Sequence, residues 1–137
     1  MVPVPEIQEE IVLKGLLAGG ILMGVSALFP EALVYPLLAA VLGFASGIYP
    51  GLAMAGPEGN HAGLEWAVAL AVLALGLLGL WMSPLLLVCA WALHGFWAGV
   101  HGVTALGGET PEGLPGFSFS LSVAIAAFVA YMWAVGG

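Results

Sequence analysis

Positive charge is nearly missing from this sequence: Lys14 is the single base and Arg does not occur. Phosphate recognition is built on Lys and Arg, so nucleic acid is excluded as a partner. Asp is absent too, which leaves all eight acids as Glu and a formal net charge of −7. Cysteine occurs once, at Cys89, and that excludes both a disulfide framework and a cysteine zinc centre within the chain. Only 7% of the 137 residues are charged, where a soluble protein has about 25%. Such a chain cannot coat a water-exposed surface. What fills it instead is apolar, with 62% hydrophobic side chains and a mean hydropathy of +1.13. This is the composition of an all-α integral membrane protein whose first partner is the lipid bilayer.

The charges punctuate the chain and leave charge-free stretches at 15–30, 32–57, 66–108 and 113–137. Crossing a hydrocarbon core of about 30 Å takes about 20 residues at 1.5 Å each. The 43 residues of 66–108 are therefore two spans, not one. Ser83-Pro84 supplies the turn between them, with Ser as a helix N-cap and Pro in the first helical position. Phe29-Pro30-Glu31 reads the same way. The expectation is one domain over 1–137, a bundle of five transmembrane helices at about 7–29, 32–55, 64–82, 84–104 and 117–135. The opening Met1-Val2-Pro3-Val4-Pro5-Glu6 lacks the basic region of a secretory signal, so the first span is read as retained. Its early Glu residues suit the positive end of the helix dipole. Glu10 also precedes Lys14 by four residues, the favourable order, and Lys14 snorkels to the interface.

Threading five spans in order puts seven of the eight Glu residues, Lys14 and the longer loops on the N-terminal face. Glu31 stands alone on the other. The positive-inside rule counts bases, so Lys14 points to a cytoplasmic N-terminus. Small residues recur at every fourth position in Gly15-Gly19, Gly20-Gly24, Gly43-Gly47-Gly51, Gly95-Gly99 and Ser118-Ser122-Ala126-Ala130. In lipid, close backbone approach along such ladders drives helix association, and the run through 43, 47 and 51 is the clearest of them. Pro36 and Pro50 fall in the second span, and a kink is expected near Tyr49-Pro50-Gly51.

The fourth span carries the strongest chemical signal. At about 100° per residue, His94, Trp97, Ala98 and His101 share one stripe with Trp91 at its edge, while Gly95, Gly99 and Gly102 form the next. His101 lies near the N-terminal-side interface, and His94 is roughly 10 Å deeper. An ionisable group at that depth is a functional candidate by default. Trp91, His94, Trp97 and His101 are accordingly the expected ligand-binding residues. His61 and Glu65, four apart at the start of the third span, enter the membrane on the same side as His101. Together with His94 they offer the nitrogen and oxygen ligands of a divalent metal, or the titratable ladder of a proton or cation path. Glu58, Asn60, Glu109 and Glu112 lie in the loops above. The ordinary readings are a neutral hydrogen-bonded His94, a Glu65 held by the helix dipole, and Trp81, Trp91, Trp97 and Trp133 as packing or interface belt. Haem needs a second axial ligand, which only a partner subunit or a Met such as Met23, Met54 or Met132 can supply. Ser118, Ser120 and Ser122 form no nucleophile elbow, which argues against a hydrolase.

Through Trp91, Leu93, His94, Trp97 and His101 the chain resembles a family of small bacterial multi-pass membrane proteins, a domain of unknown function with a Trp-x-Leu-His-x-x-Trp-Asp-x-x-His segment. Tyr49-Pro50-Gly51 and Glu65-Trp66 are also similar. Ala98 stands where that family has Asp, so any role of that acid is missing here. The resemblance implies a bacterial inner (cytoplasmic) membrane and brings no reaction with it. Two functions fit the residues. One is binding or permeation of a small cation, metal ion or protonatable ligand at an intramembrane His/Trp site reached from an acidic face. The other is a structural or accessory subunit of a larger membrane complex. Five short spans enclose little space, so a homo-oligomer or other membrane subunits are expected.

Overall fold

A computed structural model describes residues 9–56, 62–103 and 110–136. These form five helices, α1 (Glu9–Ser26), α2 (Glu31–Ala55), α3 (Ala62–Trp81), α4 (Pro84–Val103) and α5 (Leu114–Gly136), with no strand among the described residues. The protein is a helical bundle, and α2 through α5 are each long and apolar enough to cross a membrane. The 18 residues of α1 make a helix of about 27 Å. Its charges, Glu9, Glu10 and Lys14, are confined to the first two turns, and Lys14 Nζ lies 2.8 Å from Glu10 Oε1 in an exposed i, i+4 pair.

Local chemistry explains the boundaries. Ser83 caps α4 as its sequence predicts, with the Leu85 N–H donating to Ser83 Oγ at 3.3 Å and the Leu86 N–H to the Ser83 carbonyl at 2.9 Å. At the other tight turn Pro30 itself takes the cap position, with φ −54° and ψ 142° and no side-chain cap. The α2 helix runs without interruption through Pro36 and Pro50. The last helix starts at Leu114, ahead of the expected 117, because Gly113 adopts φ +84° and lets the chain turn early. Ile11 of α1 sits directly on that glycine, where a Cβ would come within 2.6 Å of Ile11 Cδ1.

Neighbouring helices can be placed by their contacts. Ile11, Gly15 and Gly19 of α1 meet Gly113–Gly116, Phe117–Ser120 and Leu121–Ala124 in ascending order, so α1 and α5 are parallel. Gly95, Gly99 and Gly102 of α4 meet Ser122, Phe119 and Pro115 in descending order, so α4 and α5 are antiparallel. Gly79 lets α3 and α4 close into a hairpin, since a Cβ there would lie 2.7 Å from the Leu87 nitrogen. α2 covers this set, joining Val34, Leu38, Leu42 to Val72, Leu87, Trp91, Ile125 and Val129 in the buried core.

Two glycine ladders differ from expectation. Gly47 and Gly51 have nothing within 4 Å of a Cβ position, and Gly20 and Gly24 are equally open. The reason is helical phase: α2 buries Val34, Leu38, Leu42, Ser46, Tyr49 and Ala53, and positions 47 and 51 fall off that stripe.

Candidate functional site

The buried stripe of α3 is Glu65, Ala69, Val72, Gly76 and Gly79, a spacing of 4, 3, 4 and 3. Glu65 is its first member, so the helix phase that buries the small residues also turns this carboxylate into the bundle. Two groups of α4 meet it there. The Trp97 Nε1–H donates to Glu65 Oε2 at 2.7 Å, and His101 Nε2 is hydrogen-bonded to Glu65 Oε1. Both the Glu65 and the His101 side chain are 1% exposed.

The other ring nitrogen fixes the chemistry of this pair. His101 Nδ1 lies 2.9 Å from the Trp97 carbonyl, which only accepts, so Nδ1 carries a hydrogen. A neutral imidazole has one N–H. If that hydrogen is on Nδ1, then Nε2 and a bare carboxylate would present lone pairs to each other across a buried contact. Both contacts are satisfied together when a proton lies between Nε2 and Oε1, as an imidazolium facing a carboxylate or a neutral imidazole facing a carboxylic acid. In both forms Glu65 and His101 together hold one proton more than a neutral histidine and an ionised glutamate.

Aromatic rings enclose the pair. Tyr49 of α2 lies against His101 with ring centroids 4.5 Å apart, and Trp97 meets the same imidazole edge-on at 5.0 Å. Tyr49 also contacts His94, at 6.0 Å, and Trp91 meets His94 edge-on at 6.1 Å. One tyrosine thus touches both histidines of the stripe. His94 is buried, and its Nδ1 lies 2.9 Å from Ser122 Oγ on α5. Ser122 donates its one hydrogen to the Ser118 carbonyl at 2.6 Å, so it accepts from His94, and the His94 hydrogen sits on Nδ1. The Ala45 carbonyl lies near the ring, but His94 Nε2 has no hydrogen-bond partner among the described residues.

All four expected ligand-binding residues are on this site: Trp91 and His94 in its deeper part, Trp97 and His101 around Glu65. Of the expected metal set, Glu65 and His101 meet, His94 is engaged separately by Ser122, and His61 lies outside the described residues, as do Glu58, Asn60 and Glu109. Among the described residues no three His, Cys, Asp or Glu side chains gather where they could hold a metal ion. Met54, considered above as a haem ligand, instead accepts a hydrogen bond from Trp66 Nε1 at its sulfur, 3.3 Å away. Ala98 is fully buried between the two histidines, so the carboxylate that reaches His101 comes from α3 and not from that position.

Tyr49 and Ser122 were not among the expected site residues. Tyr49 continues the α2 stripe of Leu38, Leu42 and Ser46, which was the signal that it faces inward. Ser122 gives the small surface against which Gly95 packs, and its hydroxyl also meets His94. Comparison with family models, curated proteins and solved structures finds no match.

Proposed function

We propose that this chain is a membrane protein that binds a proton at the buried Glu65–His101 pair and passes it between the acidic N-terminal-side face and the deeper His94. The observation that carries the reading is the Nδ1 contact with the Trp97 carbonyl, which is compatible with the Glu65 contact when His101 and Glu65 share a proton. A buried acid and base within a span are costly unless they are used or fully paired. The Trp97 indole and the aromatic cage around His101 favour the ion-pair form, because the indole N–H supports the carboxylate and the Tyr49 ring lies against the imidazolium. On this reading the acidic face collects cations, Lys14 sets that face toward the cytoplasm of a bacterial inner membrane, and the likeness to the small bacterial family concerns a shared His/Trp segment.

The test uses purified protein in vesicles with a trapped pH-sensitive dye and an imposed membrane potential. Wild type should move protons faster than empty vesicles, and Glu65→Gln should lose at least about tenfold of that rate. Glutamine keeps the shape and accepts from Trp97, but its amide donates to a neutral His101 and no exchangeable proton remains. Unchanged flux in Glu65→Gln would sink the proposal.

The open faces at Gly20, Gly24, Gly47 and Gly51 favour a second reading, in which the chain is a subunit that docks other membrane helices there. Gentle detergent extraction should then recover it with fixed partners. A lone chain would count against this.

A further inference from the structure

Three buried side-chain atoms lack a hydrogen-bond partner among the described residues: Tyr49 Oη, Trp91 Nε1 and His94 Nε2. All three belong to rings in contact around His94, and none of the three residues is more than 3% exposed. Leaving such groups dry in the interior of a membrane bundle is costly, and together they define what must satisfy them. Trp91 Nε1 is only a donor. His94 Nε2 is an acceptor, because its hydrogen is on Nδ1 facing Ser122. Tyr49 Oη is both, and the Ser118 side chain lies beside it. A metal ion would suit His94 but not an indole N–H. An anion would suit the indole but give nothing to His94. An ammonium-type cation has no acceptor for the indole. The requirement is a small neutral molecule that both donates and accepts.

We infer that Tyr49, Trp91 and His94 form a binding site for internal water, and that this water joins the Glu65–His101 pair to His94. Water donates to His94 Nε2 and accepts from the indole or the phenol, and buried waters commonly make about three such bonds. Tyr49 is the link, because its ring packs on both histidines. In transfer, the shared proton leaves Glu65–His101 for a water, that water releases a different proton to His94 Nε2, and the pair is left as neutral histidine and carboxylate. The transfer step rests on the proposed function above. The water site does not.

Solid-state NMR on histidine-labelled protein in bilayers reads the site without any flux. His94 should be neutral with its hydrogen on Nδ1, and Nε2 should show magnetisation transfer from water protons. Tyr49→Phe removes only the hydroxyl, and Trp91→Phe removes the indole donor together with part of the ring. Each should weaken that water signal, and Tyr49→Phe should also cut proton flux by about tenfold while the shared-proton signal of His101 persists. A hydrogen on His94 Nε2, or a water signal that neither variant changes, overturns the site. Full flux in Tyr49→Phe despite a weakened water signal overturns the link alone. Wild-type vesicles that conduct no protons, with the NMR signals as expected, would overturn the proposed function and leave the water site standing.

Discussion

Toward the Glu31 end of the bundle, Val34, Leu38, Leu42, Leu87, Ile125 and Val129 interlock through apolar side chains, and the buried Ser26 hydroxyl there is satisfied within its own helix by the Leu22 carbonyl. Toward the other end, Glu65, Trp97, His101, His94 and Ser122 are joined by directional bonds between α3, α4 and α5. Lipid tails compete on nearly equal terms with an apolar side chain, so the first end is held by fit, through dispersion and the exclusion of voids. Nothing in a lipid tail competes with a carboxylate or an imidazole. The second end is held by matched donors and acceptors, and it tolerates loss of volume better than loss of a partner.

That contrast can be broken first at Glu65. Glu65→Ala leaves His101 and the Trp97 indole unpaired in a buried setting, and a loss of about 3–5 kcal/mol is expected. Glu65→Gln should stay within about 1 kcal/mol of wild type, since hydrogen bonds are exchanged and not removed. Denaturant titration in mixed micelles measures both, and equal losses would erase the distinction between partner and volume. At the apolar end Leu38→Ala should cost about 2–5 kcal/mol through its cavity, yet leave proton movement in vesicles at the wild-type rate. A parallel fall in flux would mean the two ends are one functional unit. The smallest effect separates glycines by their surroundings. Gly79→Ala forces a Cβ against the Leu87 backbone and should cost about 1–3 kcal/mol, whereas Gly51→Ala, which meets nothing, should gain up to about 1 kcal/mol in helix propensity.

Much of the fold was legible because charge is so rare that it works as punctuation. The 43-residue charge-free stretch and its Ser83-Pro84 turn yield the α3–α4 hairpin almost to the residue. The start of α5 was less legible, since it depends on the backbone angle of Gly113. In the site, the His94–Trp97–His101 stripe follows from the helical repeat alone, and all its members are used. The bond between Glu65 and His101 does not follow, because helical phase says which face of α3 and of α4 each side chain occupies and not which faces meet. Tyr49 stands out in the sequence only through the proline beside it, whereas its inward position follows from its phase in α2. The 43, 47, 51 run misled for a related reason: a spacing of four says that residues share a face, and only the neighbouring Val34, Leu38 and Leu42 say which face is inside.

The bonds at Glu65 have a mechanical side. Trp97 and His101 stand on successive turns of α4, their own spacing fixed by the bond from His101 Nδ1 to the Trp97 carbonyl, and both clasp one residue of α3. Sliding α3 along α4 by a single residue, about 1.5 Å, must undo both grips together. On the proposed proton-binding role, loss of the shared proton weakens the His101 grip and leaves the Trp97 bond in place. Proton occupancy would then also bear on the axial register of this hairpin, firmer when loaded than when empty.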